Sequence, residues 1–311
     1  MPRHLISIHD LSRTEFGNLF RLAADVKARP DEFSTALAGK TLGMIFEKSS
    51  TRTRVSFEVG TFQMGGHALF LSSRDIQLGR GEPISDTAKV LSRYLSGIMA
   101  RTFAHQTVTD LAAFGSVPVI NGLTDDLHPC QGLTDYFTLS EIFGGLIGLK
   151  GKKIAYVCDG NNMAHSLMFG AAKAGMNIAI ASPDGYRVQE KYLAQAREDA
   201  AAAGTTIELT DDPRKAVVGA HCVTTDVWAS MGQETEAAIH LQAFAGYEVD
   251  SSMMALADPS AVFLHCLPAH RGEEVSAEVC DGPQSRIYDQ AENRLHVQKA
   301  ILLWLMGGVA I

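Results

Sequence analysis

The chain reads as an α/β protein of two doubly wound domains, each with a mainly parallel sheet flanked by helices. Three observations predict this. Short apolar runs alternate with longer amphipathic segments from end to end. The 311 residues supply about two domains at the usual ~150 each. A glycine-rich break, Gly144-Gly145-Leu146-Ile147-Gly148-Leu149-Lys150-Gly151, falls near the midpoint and is followed at once by a fresh strand pattern.

The strand candidates of the first half are Leu42 to Phe46, His67 to Leu71, Gly97 to Ala100 and Val117 to Ile120. Those of the second half are Lys153 to Cys158, Asn177 to Ala181, Ile207 to Thr210, His221 to Thr225 and Val262 to Cys266. Most are rich in Val, Ile, Leu, Phe or Ala, as parallel strands covered on both faces should be. Helical patterns lie between them at Leu11 to Lys27, Val55 to Met64, Ser85 to Leu95, Leu133 to Phe143, Met163 to Ala174 and Val188 to Ala203. Val55, Val59 and Phe62 follow the i, i+4, i+7 spacing of one helix face. Alternating strands and helices imply parallel sheets with right-handed crossovers. The expected domains are 1–147 and 148–311, with a terminal helix (about 291–306) apolar enough to pack back on the first.

Composition narrows the function. Lys plus Arg number 27 against 35 for Asp plus Glu, a net charge of −8, which offers no basic field for coating nucleic acid. Met1-Pro2-Arg3-His4-Leu5 lacks the apolar run of a signal peptide, and the tail from Ala300 to Ile311 falls short of the ~20 residues that cross a bilayer. Cys130, Cys158, Cys222, Cys266 and Cys280 are scattered and form no C-x-x-C pair, which suits reduced thiols. A cytoplasmic protein with no membrane or nucleic-acid partner is expected.

The candidate chemistry gathers after the strands. Ser49-Ser50-Thr51-Arg52-Thr53-Arg54 leaves a strand and enters a helix, whose N-terminal N–H groups and dipole make a ready anion site. Four hydroxyls and two guanidiniums at one turn exceed what an N-cap needs. No G-x-x-x-x-G-K-[ST] is present, so this is no triphosphate P-loop. Arg101 and His128-Pro129-Cys130-Gln131 follow later strands, where ligands of open α/β sheets sit.

In the second half, Asp159-Gly160-Asn161-Asn162 opens a helix without the G-x-G-x-x-G fingerprint, which disfavours a nicotinamide cofactor. Two carboxamides there suit a small carboxylate, although at least one is expected simply to cap the helix. Asp226, in Asp226-Val227-Trp228-Ala229-Ser230-Met231-Gly232, offers a carboxylate to a cation. His265, Cys266 and His270 lie close enough in sequence to suggest a metal. In an extended chain, however, Cys266 faces away from its neighbours His265 and Leu267, and a core thiol is the competing reading. Asp289, Glu292 and Arg294 complete the polar set, with a weak Glu292–Arg294 surface pair as the plain alternative.

Together these segments resemble the carbamoyltransferases. Ser50-Thr51-Arg52-Thr53-Arg54 is similar to the family's phosphate-binding signature, and His128-Pro129-Cys130-Gln131 to its H-P-x-Q carbonyl-binding segment. The Asp226 to Gly232 run, His265-Cys266-Leu267-Pro268 and Asp289-Gln290-Ala291-Glu292-Asn293-Arg294 resemble the ornithine carbamoyltransferases in particular. The resemblance implies an active site in the interdomain cleft, no cofactor and no metal, and a homotrimer with active sites near subunit borders. It implies that Ser50, Thr51, Arg52, Thr53 and Gln77 hold the phosphate of carbamoyl phosphate, with Pro129, Cys130, Cys266, Leu267 and Arg294 also lining that substrate. It gives Arg101, His128 and Gln131 the carbamoyl oxygen, and Asn162, Asp226, Ser230 and Met231 the ornithine. Cys266 joins Arg101, His128 and Gln131 as a catalytic residue. The implied reaction carries the carbamoyl group to the δ-amine of L-ornithine, giving citrulline and phosphate, in arginine biosynthesis. Competing readings are a carbamoyltransferase for putrescine, N-acetylornithine or aspartate, and, from another class, a nicotinamide-dependent oxidoreductase.

Overall fold

A computed structural model describes residues 2–76, 81–228 and 237–311. The chain divides into two compact units, Met1–Thr134 with Glu292–Ile311, and Asp135–Ala291. The glycine-rich stretch 144–151 lies inside the second.

In the first unit, β1 (Thr41–Phe46), β2 (His67–Ser72), β3 (Gly97–Arg101) and β4 (Val119–Leu123) form one parallel sheet in the order β2-β1-β3-β4. β4 starts after Pro118 because proline has no N–H for the ladder; its carbonyl instead accepts from Ile98. Ile45, Ile98, Ala100 and Val119 pack under helices Ile84–Tyr94 and His105–Phe114, through Ala88, Leu95, Val108 and Leu111. Gly43 lets the Leu95 side chain lie against β1, since a Cβ there would sit 2.3 Å from Leu95 Cδ1. Helix Arg13–Ala28 begins in a capping box formed by Ser12 and Glu15. From the terminal helix Ile287–Leu305, Leu295 and Lys299 pack beside Gly60, and Asn293 accepts from Lys27 at 2.8 Å.

Two expectations change here. β2 is an edge strand rather than one covered on both faces, with Leu69 and Phe70 exposed. The Val55, Val59, Phe62 stripe belongs to helix Thr51–Gln63, yet these residues are 50, 37 and 78 % exposed. The buried face of that helix is instead Thr53, Ser56, Phe57, Gly60 and Thr61. Phe57 is the one large apolar residue among small ones on that face, and the apolar stripe is left outward.

In the second unit, β5 (Lys153–Val157), β6 (Asn177–Ala181), β7 (Ile207–Thr210), β8 (Cys222–Thr225) and β9 (Val262–His265) form a parallel sheet ordered β7-β6-β5-β8-β9. Helix Asn162–Ala174 is buried along almost its whole length, which its Ala- and Gly-rich sequence allows. At Gly170 a Cβ would come within 2.1 Å of the Tyr136 ring, whose hydroxyl donates to the Leu167 carbonyl at 2.7 Å. Both sheets switch direction of strand order next to their first strand, at β1/β3 and β5/β8. The carboxyl ends flanking those switch points are where ligands of such sheets bind.

Candidate active site

In the first unit the site is built where β1 and β3 end level, Phe46 opposite Arg101. Ser50 is the N-cap of helix Thr51–Gln63, its Oγ accepting from the Thr53 N–H at 3.2 Å, so the first turn presents its remaining N–H groups outward. Thr51 is exposed, Arg52 half-buried and Thr53 buried. Arg294, 3 % exposed, is held by Gln131 and Thr53: Nη1 donates to Gln131 Oε1 at 2.6 Å and Nη2 to Thr53 Oγ1 at 3.0 Å. Arg294 is thus a buried residue rather than a surface one, and Glu292 lies 3.4 Å from His296.

His128 is buried and its pKa lies well below the usual imidazole range. Burial is the main cause, followed by the positive charges of Arg294, Arg101 and Arg52. Three guanidiniums thus bear on one neutral imidazole beside a helix N-terminus, an arrangement that awaits an anion. Pro129 starts helix Pro129–Ile142. Cys130 donates to the Asn121 carbonyl at 3.4 Å, and burial pushes its thiol up to about 12, so it serves as a packed, inert group.

Lys48 was not among the expected residues. It is buried, paired with Asp125, and lies 4.6 Å from the Phe103 ring centroid. Its signal in the sequence is a lone lysine two residues after a buried strand. Beside it, Ser49, Ser50, Thr51 and Arg54 line a hollow of about 510 Å³.

In the second unit the polar groups converge where β5, β8 and β9 end. Asp226, 8 % exposed, accepts the Cys266 thiol at 3.0 Å and the Val227 N–H at 2.9 Å through Oδ1. Its Oδ2 lies 3.4 Å from the Asn161 amide nitrogen. Asn161 caps helix Asn162–Ala174 by accepting from Met163 N–H at 2.9 Å, and it also accepts from the Tyr156 hydroxyl at 3.0 Å. Asn161 is therefore both the cap and a support for Asp226, while Asn162 opens the helix, half-buried. Asp159 is raised to about 6, chiefly by burial and further by the Asp226 charge, against the opposing pull of His240.

Cys266 follows β9 and is half-buried rather than fully enclosed. Its neighbours are fixed: the His265 N–H donates to Gln290, whose amide donates to Asp135, and the Leu267 N–H donates to His265 Nδ1 at 2.8 Å. Leu267 has φ +62° and precedes a cis proline. That left-handed backbone is unfavourable for a residue with a Cβ and marks a specified position. Gln77, Ser230 and Met231 lie outside the described residues.

Comparison with known proteins agrees in both halves. Residues 3–141 match the family model described as aspartate/ornithine carbamoyltransferase, carbamoyl-P binding domain, and residues 150–305 the Asp/Orn binding domain. The chain is 57 % identical over 310 residues to an ornithine carbamoyltransferase of Symbiobacterium thermophilum, covering 98 % of each. Among solved structures, the Pyrococcus furiosus ornithine carbamoyltransferase matches with TM-score 0.94 and 50 % identity, covering 99 % of this chain and 98 % of that one. The anabolic ornithine carbamoyltransferase of Campylobacter jejuni matches with TM-score 0.92 and 39 % identity, covering 97 % and 98 %.

Proposed function

Since the chain belongs to the aspartate/ornithine carbamoyltransferase family, we propose that it transfers the carbamoyl group of carbamoyl phosphate to the δ-amine of L-ornithine, yielding citrulline and phosphate. The observation that carries this reading is the set of Arg52, Arg101 and Arg294 acting on a buried, neutral His128 beside the Ser50 helix cap. Such a cradle fits a dianionic leaving group joined to a polarisable carbonyl.

The roles follow from the charges. Ser50, Thr51, Arg52 and Thr53, with Arg294, Pro129 and Cys130 alongside, take carbamoyl phosphate; Gln77 joins them by family resemblance. As the amine attacks, negative charge grows on the carbonyl oxygen, and Arg101, His128 and Gln131 are its proposed donors. Losing one such donor costs ~10²–10³ in turnover in comparable sites. Arg294 fixes the Gln131 amide with Oε1 as the acceptor end, which leaves Nε2 as the donor end. The attacking amine must be neutral, although an alkylamine has a pKa of ~10.4. Asp226 attracts the ammonium and, as the carboxylate that accepts the Cys266 thiol, receives the amine proton, while Cys266 helps to orient the amine. Asn162, with Ser230 and Met231, holds the rest of the amino acid, and Leu267 lines the carbamoyl group. The division at 147/148 is the proposed functional boundary, the terminal helix lending Arg294 to the first half.

An aspartate enzyme needs cationic groups for a second carboxylate, whereas Asp226 repels one. Putrescine carries no carboxylate for Asn162 to hold. We place the reaction in arginine biosynthesis in the cytoplasm, carried out by a homotrimer whose contacts use the outward Val55, Val59, Phe62 stripe. Among the described residues no helix is long and apolar enough to cross a membrane. The test is carbamoylation assayed side by side with ornithine, putrescine, aspartate and N-acetylornithine. Ornithine should give the highest kcat/KM; a preference for any of the others would overturn the assignment.

A further inference from the structure

Beyond β9 the chain makes a turn that the proposed transfer reaction does not use. His270, Glu273 and Glu274 each place one ligand atom there, all within 4.8 Å of one another. His270 Nδ1 stands 3.7 Å from Glu273 Oε2 and 3.8 Å from Glu274 Oε2. Around zinc, nitrogen and oxygen ligands at ~2.0–2.2 Å in a tetrahedron lie about 3.4 Å apart, so small rotations of the two exposed side chains close the set.

Glu274 supplies the second, independent observation. Its side chain is fully buried, and its two oxygens are treated differently. Oε1 accepts from the His270 N–H at 2.6 Å and faces His265 Nε2 at 3.2 Å. Because His265 Nδ1 already accepts the Leu267 N–H, the proton of that ring sits on Nε2 and is donated to Glu274. Oε2 is buried, has no hydrogen-bond partner among the described residues and turns to the His270 ring. A buried carboxylate oxygen left unsatisfied is costly, and a cation is the group that most strongly satisfies it. Arg271, the cation in the middle of the turn, is committed elsewhere, to Asp281 at 2.6 and 2.8 Å.

We propose that His270 Nδ1, one Glu273 carboxylate oxygen and Glu274 Oε2 bind a divalent transition-metal ion of the zinc class, with water completing the coordination. One imidazole and two carboxylates suit zinc, whereas magnesium and calcium prefer an all-oxygen shell. His265 acts as the outer support by fixing the Glu274 orientation through Oε1. Cys266 takes no part, since its thiol is directed to Asp226.

Titration of the full-length protein with zinc chloride, followed by calorimetry, tests the site, with cobalt(II) as a visible-absorption probe. One ion per chain is expected, with a rise in Tm and a tetrahedral cobalt spectrum that lacks a thiolate charge-transfer band. His270→Ala and Glu273→Gln alter half-exposed side chains, so both should fold as the parent does by circular dichroism, and each should weaken zinc at least tenfold. Cys266→Ser should bind zinc unchanged. Zinc binding undiminished in His270→Ala and Glu273→Gln would overturn the proposal, as would its loss in Cys266→Ser. Absence of zinc binding by the parent would also overturn it, leaving a histidine–carboxylate cluster only.

Discussion

The Cys266 thiol donates to Asp226 Oδ1 across 3.0 Å, joining the residue that ends the β9 edge of the second unit to the one that follows β8. Serine in place of cysteine keeps a donor at this point but replaces a polarizable, acidic thiol with a hydroxyl that titrates far less readily. Cys266→Ser is expected to lower kcat with ornithine by about 10²-fold, within the range of acid–base contributions. Phosphate product inhibition, which reads the other half-site, should stay unchanged. An unaltered kcat would reduce Cys266 to packing.

Arg294 anchors Gln131 and Thr53 at once. Removing it takes a charged hydrogen-bond donor from two buried side chains and subtracts a positive charge from the cradle. Arg294→Ala should therefore weaken carbamoyl phosphate by at least tenfold in equilibrium dialysis. Arg294→Lys should recover little, because an ammonium cannot bridge both partners with the planar fork of a guanidinium.

His128 gives a stability signature with a definite sign. Its folded pKa lies below the 6.5 of the unfolded chain, so the unfolded state takes up a proton first as the solution is acidified. The stability it contributes is complete above pH 6.5 and is lost as the pH falls below that value. Urea unfolding at pH 8 and pH 5 should show a larger acid loss in the parent than in His128→Asn.

Asp159 works in the opposite direction. Its carboxyl is raised from 3.8 to about 6, so its contribution is fully present below 3.8 and is lost as the pH rises through about 6. At pH 8 the half-buried carboxylate costs about 2–3 kcal/mol. Asp159→Asn should then raise Tm at pH 8 and leave it nearly unchanged at pH 4.

Phe62, 78 % exposed, is the most outward member of the apolar stripe on helix Thr51–Gln63. Phe62→Glu should shift the sedimentation profile from trimer to smaller species while preserving the circular dichroism spectrum. A parent that sediments as a monomer would refute the assembly.

Strands were the legible part of the fold, because runs such as Ile154 to Val157 are buried on both faces and need no periodicity to be noticed. Helix His105–Phe114 escaped notice: only Val108 and Leu111 are buried, Ala104 makes no side-chain cap, and Phe114 is exposed. In helix Thr51–Gln63 the apolar stripe and the buried face differ, since Phe57 packs inward among small residues while Val55, Val59 and Phe62 stay exposed. Within the site, segments near one another in sequence could be read, such as the Ser50 cap and the Asp226 loop. What could not be read was pairing across distance. Nothing local to Arg294 announces Thr53 and Gln131, and nothing in Asn161-Asn162 says which amide caps the helix and which is left for a ligand.

Arg294 belongs to the segment Glu292–Ile311, whereas the Thr53 hydroxyl it meets belongs to the opening third of the chain. During synthesis, residues 135–291 emerge as one uninterrupted stretch, and the earlier unit must wait for its last piece. A chain cut off before Arg294 thus has its second unit entire and its first short of a charge. Such a chain would bind the carbamoyl donor weakly.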